Sequence, residues 1–195
     1  MIKLFKQLKD YPEFDLFLKN LNLITAEYEA FIKNNVFLVT HEKTVEWIKQ
    51  QENNEQYYAS GGNAKNWAVL PLYKDIVCYQ NEFPITNNLI RRCKKVNFAG
   101  FFCLKAMQSI PYHKHNTETV IMHVNLFTLS GGQAYTYLDE SINGNPNTTG
   151  NYSTYYERRP MDISGDYVIF EPSLYHSAKN RSKTDRITFG VEIKR

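Results

Sequence analysis

With 195 residues, 43% of them hydrophobic, the chain is long enough for one well-packed domain with a sizeable core. Lys and Arg total 23 against 20 Asp and Glu, and the densest basic cluster is only Arg91, Arg92, Lys94 and Lys95, so no nucleic-acid partner is expected. Cys78, Cys93 and Cys103 form no CxxC pair, the opening Met1-Ile2-Lys3-Leu4-Phe5-Lys6 lacks the order of a signal peptide, and no apolar run approaches the roughly 20 residues that span a bilayer, so a reducing, cytoplasmic setting without a membrane span is expected.

Residues 1–60 carry a helical period and read as a brace: Ile2, Phe5 and Leu8, then Phe14, Phe17, Leu18 and Leu21, with Pro12 as a first-turn residue or break. Thr25 offers an N-cap for a helix over 26–34, with Glu27 and Glu29 in its first turns. A further helix is expected from Thr40 through Val45, Trp47 and Ile48, where His41 reads as a surface or packing residue. The stretch 52–66, rich in Asn, Gln, Gly and Ser, reads as a connecting loop.

From Trp67 the period changes from that of a helix to that of a strand. Trp67 to Tyr73 reads as a strand with Pro71 near an edge or end, and Phe83 to Arg92 as a short helix capped by Thr86 or Asn87. Strand-like runs follow at 96–107, 120–129, 134–138, 167–171 and 187–193, punctuated by Gly, Pro and Asn. The fold class is mainly β with N-terminal helices (α+β), the core at 65–195 being a β-sandwich or closed jelly roll. The polar segment 139–163, with the aromatic and basic run 152–159, reads either as a surface hairpin or as a binding lid.

The chemistry gathers late in the chain. His113 and His115 are two apart, so on an extended segment both imidazoles project to one side, and His176 can supply a third nitrogen. Such a set suits Fe, Zn, Cu or Ni and leaves coordination positions open. Gly165 to Phe170 makes a turn into a buried strand that ends beside His176, and Arg186 opens the next strand with a guanidinium suited to a carboxylate. On spacing alone, surface roles for His113 and His115 and a salt bridge for Arg186 stay open.

Over residues 67–195 these motifs resemble, in order, the aspartyl/asparaginyl β-hydroxylase family of Fe(II)- and 2-oxoglutarate-dependent dioxygenases. Asn66 to Tyr73 resembles the family's Trp-containing first strand, and Phe83 to Ile90 its Pro-x-Thr-x-x-Leu segment. Pro111-Tyr112-His113 is similar to the approach to the first iron ligand, and Thr117 to Leu126 to the strand with a co-substrate-binding histidine. Gly165 to His176 and Arg186 to Phe189 are similar to the strands of the second ligand and of the 2-oxoglutarate arginine. The resemblance implies a double-stranded β-helix of the jelly-roll, cupin-like type. It implies His113 and His176 as catalytic iron ligands, and His123 and Arg186 as partners of 2-oxoglutarate, with O2 as co-substrate.

The implied reaction is hydroxylation of an unactivated C–H bond, coupled to decarboxylation of 2-oxoglutarate to succinate and CO2. The substrate would be a protein side chain, an amino acid or a lipid acyl chain, and Trp67, Tyr73 or Tyr175 would shape its pocket or pack the core. Two departures stand out. Ile121 replaces the arginine that the family carries two residues before the His123 position, and His115 replaces a small non-ligating residue. His115 is accordingly a third metal ligand, a neighbouring polar group or neither, with ligand ranked first. Two alternatives share the barrel: a cupin-type enzyme without 2-oxoglutarate, using His113, His115, Glu118 and His176, and a binding module without turnover.

Overall fold

The computed structural model describes residues 3–34, 67–74, 76–77, 79–115, 117–139 and 156–195. The helix expected from Thr40, His41, the loop at 52–66, Cys78 and the run 152–155 lie outside the described residues.

After 3-10 turns at Leu8–Asp10 and Pro12–Phe14 come α1 (Asp15–Leu18) and α2 (Leu21–Asn34). Pro12 opens its turn, as its fixed φ and missing N–H favour. Thr25 lies inside α2 rather than capping it. Leu21, Ile24, Tyr28 and Phe31 make one apolar stripe that packs on the core, and burying it carries the helix through the threonine. Residues 3–7 are not helical: Leu4 and Phe5 are buried in irregular backbone.

The strands are β1 (Trp67–Lys74), β2 (Ile76–Val77), β3 (Val96–Leu104), β4 (Ser109–His113), β5 (Thr119–Asn125), β6 (Ala134–Asp139), β7 (Tyr156–Pro160), β8 (Tyr167–Phe170), β9 (Tyr175–Asn180) and β10 (Arg186–Lys194). Helix α3 (Pro84–Arg92) precedes β3. Among the described residues one sheet runs β2-β1-β3-β10-β5-β8 and the other β4-β9-β6-β7, with every pairing antiparallel. From β3 onward the chain therefore alternates between two facing sheets, except at the β6–β7 hairpin, which stays in the smaller sheet; this is the winding of a double-stranded β-helix with one hairpin inserted. Pro71 is paired to β3 on one side only, because β2 reaches just Tyr73 and Lys74.

Three boundaries differ from expectation. The run through Met107 is broken after Leu104 by a turn in which Met107 takes φ 60°, and β4 starts beyond it. The run 120–129 stops as a strand at Asn125, whose Nδ2 donates to the Phe127 carbonyl at 2.8 Å. The polar segment 139–163 contains β7, which pairs back on β6 from Asp139↔Tyr156 to Tyr135↔Pro160. Its described end is thus a hairpin arm. The turn expected at Gly165 is present: its φ is +88°, and Asp166 Oδ2 accepts from the Asp162 and Ile163 N–H groups.

Helix α3 begins at Pro84 without a side-chain cap of its own, and Thr86 and Asn87 are buried inside it. The cap comes from far along the chain. Glu27 of α2 accepts the Ile85 and Thr86 N–H groups at 2.7 and 2.8 Å and the Thr86 hydroxyl at 2.6 Å. A carboxylate satisfying orphan N–H groups at a helix N-terminus is favoured by both hydrogen bonding and the helix dipole.

Strand β10 explains how the larger sheet serves two layers. Ile187, Phe189, Val191 and Ile193 join the core shared with Phe17, Ile24 and Tyr28 of the helices, whereas Arg186, Thr188 and Glu192 line a cavity between the sheets. Both faces are covered, so the strand is buried from Arg186 to Ile193. The helices close one side and leave the other for chemistry.

Leu4 and Phe5 insert at the opposite edge of the sandwich, in a second apolar cluster with Ile121, Leu138, Met161, Val168 and Phe170. Glu157 Oε2 accepts both of their N–H groups at 3.1 Å, and the Lys6 N–H donates to the Ile169 carbonyl at 2.8 Å. Tertiary burial overrides the helical spacing of these residues.

Candidate metal centre and acid-binding pocket

The metal candidates come from two neighbouring strands. His113 ends β4 and His176 lies in β9 directly opposite it in the register, which brings their ring centroids to 4.2 Å. His115 follows β4, where its N–H donates to the Pro172 carbonyl at 2.8 Å, and its ring lies 5.3 Å from His113 and 5.2 Å from His176. Lys114, between the two, turns outward over the Tyr175 ring at 4.8 Å. One potential ligand atom from each histidine lies within 4.8 Å of the others.

The hydrogen bonds orient two of these rings. His113 Nδ1 lies 2.9 Å from the Pro111 carbonyl, and His176 Nδ1 lies 2.8 Å from the Leu174 carbonyl. A carbonyl only accepts, so Nδ1 carries the proton in both and Nε2 keeps its lone pair. This is how a metal-binding histidine is usually held. Burial is the first cause lowering all three imidazole pKa values: His115 falls to about 4, His176 well below its ordinary value, and His113 downward despite its carbonyl partner. Neutral imidazoles, the form that ligates, therefore prevail at pH 7.

A cavity of about 130 Å³ opens from these histidines between the sheets. Its far end holds Arg186, which is 3% exposed. The guanidinium donates to the Tyr135 carbonyl at 3.3 Å and to Thr136 Oγ1 at 3.1 Å, and among the described residues it meets no carboxylate. Burial lowers its pKa to about 10, which still leaves it charged at neutral pH. Asn180 anchors this end, donating from Nδ2 to the Leu104, Lys105 and Thr184 carbonyls and accepting at Oδ1 from the Ser182 N–H and hydroxyl.

His123 of β5 lines the same cavity and lies near enough to Arg186, His115 and His113 to be influenced by their charges. Burial, then the charge of Arg186, lowers its pKa to about 3, so the ring is neutral. Its Nε2 is buried without a hydrogen-bond partner among the described residues, as is Ser177 Oγ in the same wall. Such orphans are rare in folded proteins and mark places where a polar ligand fits. The His123 ring is pinned by Phe102, with centroids 4.7 Å apart, and Phe102 in turn lies over Gly190.

All five site residues read from the sequence thus border one cavity: His113, His115, His123, His176 and Arg186. Trp67 lines it too, whereas Tyr73 and Tyr175 do not appear in its wall. Glu118 is exposed and outside the histidine group, so the four-ligand arrangement with Glu118 is not assembled here. Arg158 and Arg159 of the 152–159 run sit over the Tyr135 and Phe5 rings, at 5.0 and 5.3 Å, away from the cavity wall. Thr136, Ser177, Thr188 and Glu192 are wall residues that the sequence reading passed over. Period-two spacing from Arg186 would have found Thr188 and Glu192.

Residues 19–195 match the profile of the family described as aspartyl/asparaginyl beta-hydroxylase. No curated protein sequence matches the chain. Among solved structures, the chain is similar to the Schizosaccharomyces pombe Cnp3 cupin domain, with 12% identity and a TM-score of 0.41 over 66% of this chain and 65% of that one. The Cupin_2 domain of an XRE family transcriptional regulator from Enterobacter cloacae gives 15% identity and a TM-score of 0.39, covering 67% of this chain and 98% of that domain. The Lactobacillus farciminis oxalate decarboxylase formate complex gives 12% identity and 0.41, covering 67% of this chain and 29% of that one.

Proposed function

The chain belongs to the aspartyl/asparaginyl β-hydroxylase family, and from that premise we propose that it is an Fe(II)- and 2-oxoglutarate-dependent dioxygenase that hydroxylates an unactivated C–H bond. The observation carrying this reading is Arg186, a buried guanidinium without an acidic partner among the described residues, opening on the cavity that the three histidines border. A buried charge is tolerated when paired, and a carboxylate supplied by a co-substrate pairs it.

The residues fit both iron and 2-oxoglutarate. His113 and His176 present Nε2 lone pairs, and His115 stands close enough to join them, so the site offers imidazoles to iron while leaving positions for other ligands. Arg186 is suited to the distal carboxylate of 2-oxoglutarate as a bidentate donor, and its bonds to Tyr135 and Thr136 already fix the guanidinium plane. His123 is suited to donate from Nε2 to the same acid. Ile121 adds no charge there, so the arginine on β10 carries the electrostatic part of binding alone on this wall.

Bound iron would supply the redox chemistry by which O2, 2-oxoglutarate and a C–H bond become succinate, CO2 and an alcohol. The protein's own part is placement. Phe98, Phe102, Ile121 and Phe170 wall the cavity with apolar surface that excludes water, and the neutral histidines keep the donor set ready without deprotonation.

Anaerobic titration with Fe(II) and then 2-oxoglutarate tests this directly. Chelation of the co-substrate should produce a visible metal-to-ligand charge-transfer band, and a folded, iron-loaded protein without that band would sink the reading. One observation favours a second reading, a cupin-type metal enzyme without 2-oxoglutarate: His115 stands within the histidine group, giving three neutral nitrogen ligands. Metal-dependent turnover without succinate would select that reading.

A further inference from the structure

Six residues beyond Arg186 on the same strand lies a buried acid. Glu192 is 3% exposed, lines the same cavity, and pairs in register with Phe98 on one side and Ile121 on the other. Its Oε1 accepts from Thr119 Oγ1 at 2.6 Å and from Asn97 Nδ2 at 3.3 Å. Oε2 takes no hydrogen bond among the described residues. The surrounding wall is apolar, with Trp67, Val69, Phe98 and Ile121. Oε2 is thus left to accept from whatever occupies the cavity, and in these apolar surroundings a charged donor stabilises the carboxylate.

The position of Glu192 relative to the histidines gives it a role. Arg186 and Glu192 face the cavity roughly 20 Å apart along β10, from the usual rise per residue, and His123, opposite Gly190, lies between their levels. Phe170 pairs with Ile121 at the Glu192 level and its ring lies 5.0 Å from His176, so the histidine group borders this end of the cavity. The arginine end is suited to an acid. The glutamate end is suited to the opposite charge, and the two ends together disfavour a reversed co-substrate.

We infer that Glu192 receives a protonated amine of the substrate, which makes this a hydroxylase of amine-bearing carbon chains whose reacting C–H lies a few bonds from the nitrogen. The inference rests on the dioxygenase reading for the reaction, but the binding it describes does not. An ammonium gives Oε2 a charge-assisted partner, and the Trp67 and Phe98 rings add attraction for a cation. A neutral chain gives Oε2 no charged partner inside the cavity, and an anion is repelled. Burial is the first cause raising the Glu192 pKa, offset by the bonds from Thr119 and Asn97 and by the nearby charge of Lys74; a bound cation would shift it back down. The amine has two sources, a free small molecule or a lysine side chain.

Thermal shift and calorimetric titration on the full chain loaded with Mn(II) in place of iron, with and without saturating 2-oxoglutarate to occupy Arg186, test this with n-pentylamine, pentan-1-ol and pentanoate. Pentylamine should bind at least tenfold more tightly than the alcohol or the acid, and Glu192→Gln should abolish that preference. Equal binding of the three by the unsubstituted protein overturns the inference whether or not the variant folds; so does an unchanged preference in a folded Glu192→Gln protein. In a second arm, acetyl-Gly-Lys-Gly-amide is compared with the same peptide acetylated on its lysine. Tighter binding of the unmodified peptide than of pentylamine assigns the amine to a protein side chain, and weaker binding assigns it to a free amine. Failure of the unsubstituted protein to bind 2-oxoglutarate would remove the dioxygenase reading and leave the amine preference standing or falling by itself.

Discussion

The Phe102 ring occupies the space that a side chain at position 190 would need: a Cβ on Gly190 would meet the Phe102 Cε2 at 2.4 Å. The same ring stacks on His123, and the added Cβ would also come within 3.2 Å of the His123 Cδ2. A missing side chain on one strand thus sets the position of an imidazole on the next.

Gly190→Ala should therefore act on both folding and co-substrate binding. Overpacking of this kind costs about 1–3 kcal/mol, which chemical denaturation would read. The displaced His123 should also weaken 2-oxoglutarate in the charge-transfer titration, whereas metal content should stay near that of the unsubstituted protein. An unshifted His123 ring resonance in the variant would count against the stacking argument.

Arg186→Met should separate stability from binding. Losing one partner of a buried charge pair costs about 2–5 kcal/mol, so 2-oxoglutarate affinity should fall roughly thirtyfold or more. The protein without 2-oxoglutarate should not become less stable, because the variant removes a buried cation that has no acid beside it among the described residues. A large loss of unfolding midpoint without 2-oxoglutarate would mean that the Tyr135 and Thr136 bonds matter more to the fold than proposed.

Metal-free protein should be acid-labile in a defined window. His113, His115 and His176 have folded pKa values below their ordinary one, His115 at about 4. The unfolded chain then takes up protons first, so the stability these groups contribute is complete above pH 6.5 and is lost as pH falls from there toward 4. Urea midpoints at pH 7.5, 6 and 4.5 should decline in that order. Saturating Mn(II) should hold the midpoint up over the upper part of the range, since it binds the same neutral nitrogens.

His113→Ala and His176→Ala should each abolish stoichiometric metal binding, and His115→Ala should weaken it at least tenfold if the third imidazole ligates. Metal analysis after gel filtration against a buffered Mn(II) or Fe(II) pool distinguishes the cases. Full retention of metal by His115→Ala, with the other two substitutions abolishing it, would reduce the protein ligands to two.

Glu27→Gln should cost about 1–2 kcal/mol, the usual range for a lost helix cap, while leaving metal affinity unchanged. The bonds at risk are those to Ile85, Thr86 and the Thr86 hydroxyl, all distant from the histidines. Denaturation curves with and without metal would separate the two effects.

The residues of the candidate site were easier to gather from sequence than the scaffolding that holds them. His113, His176 and Arg186 are polar groups at fixed places in apolar, strand-forming stretches, and the long-range order of such stretches can be followed by eye. The alternation Arg186, Thr188, Gly190, Glu192 against Ile187, Phe189, Val191, Ile193 was also visible, yet its two-sided meaning needed the knowledge that both faces of β10 are covered. Thr25 and Thr86 failed as caps because local preference yields to burial of Tyr28 and to a carboxylate 59 residues away from Thr86. Nothing local in Leu4 and Phe5 says that they enter the sandwich; that follows from a gap between Val168, Met161 and Leu138 that only the assembled sheets create.

The strap at residues 4–6 has a consequence for solution behaviour. Strand β8 is the outermost member of its sheet, and an uncovered edge of that kind is a template on which other chains can add a strand. The Lys6 N–H already takes the Ile169 carbonyl, and the paired charges of Lys6 and Arg195 on Glu171, at 2.7 and 2.5 Å, crowd the end of that edge. Residues 4–6 thus occupy part of that edge, an arrangement that disfavours edge-to-edge association of a sheet with Val168, Ile169 and Phe170 at its margin.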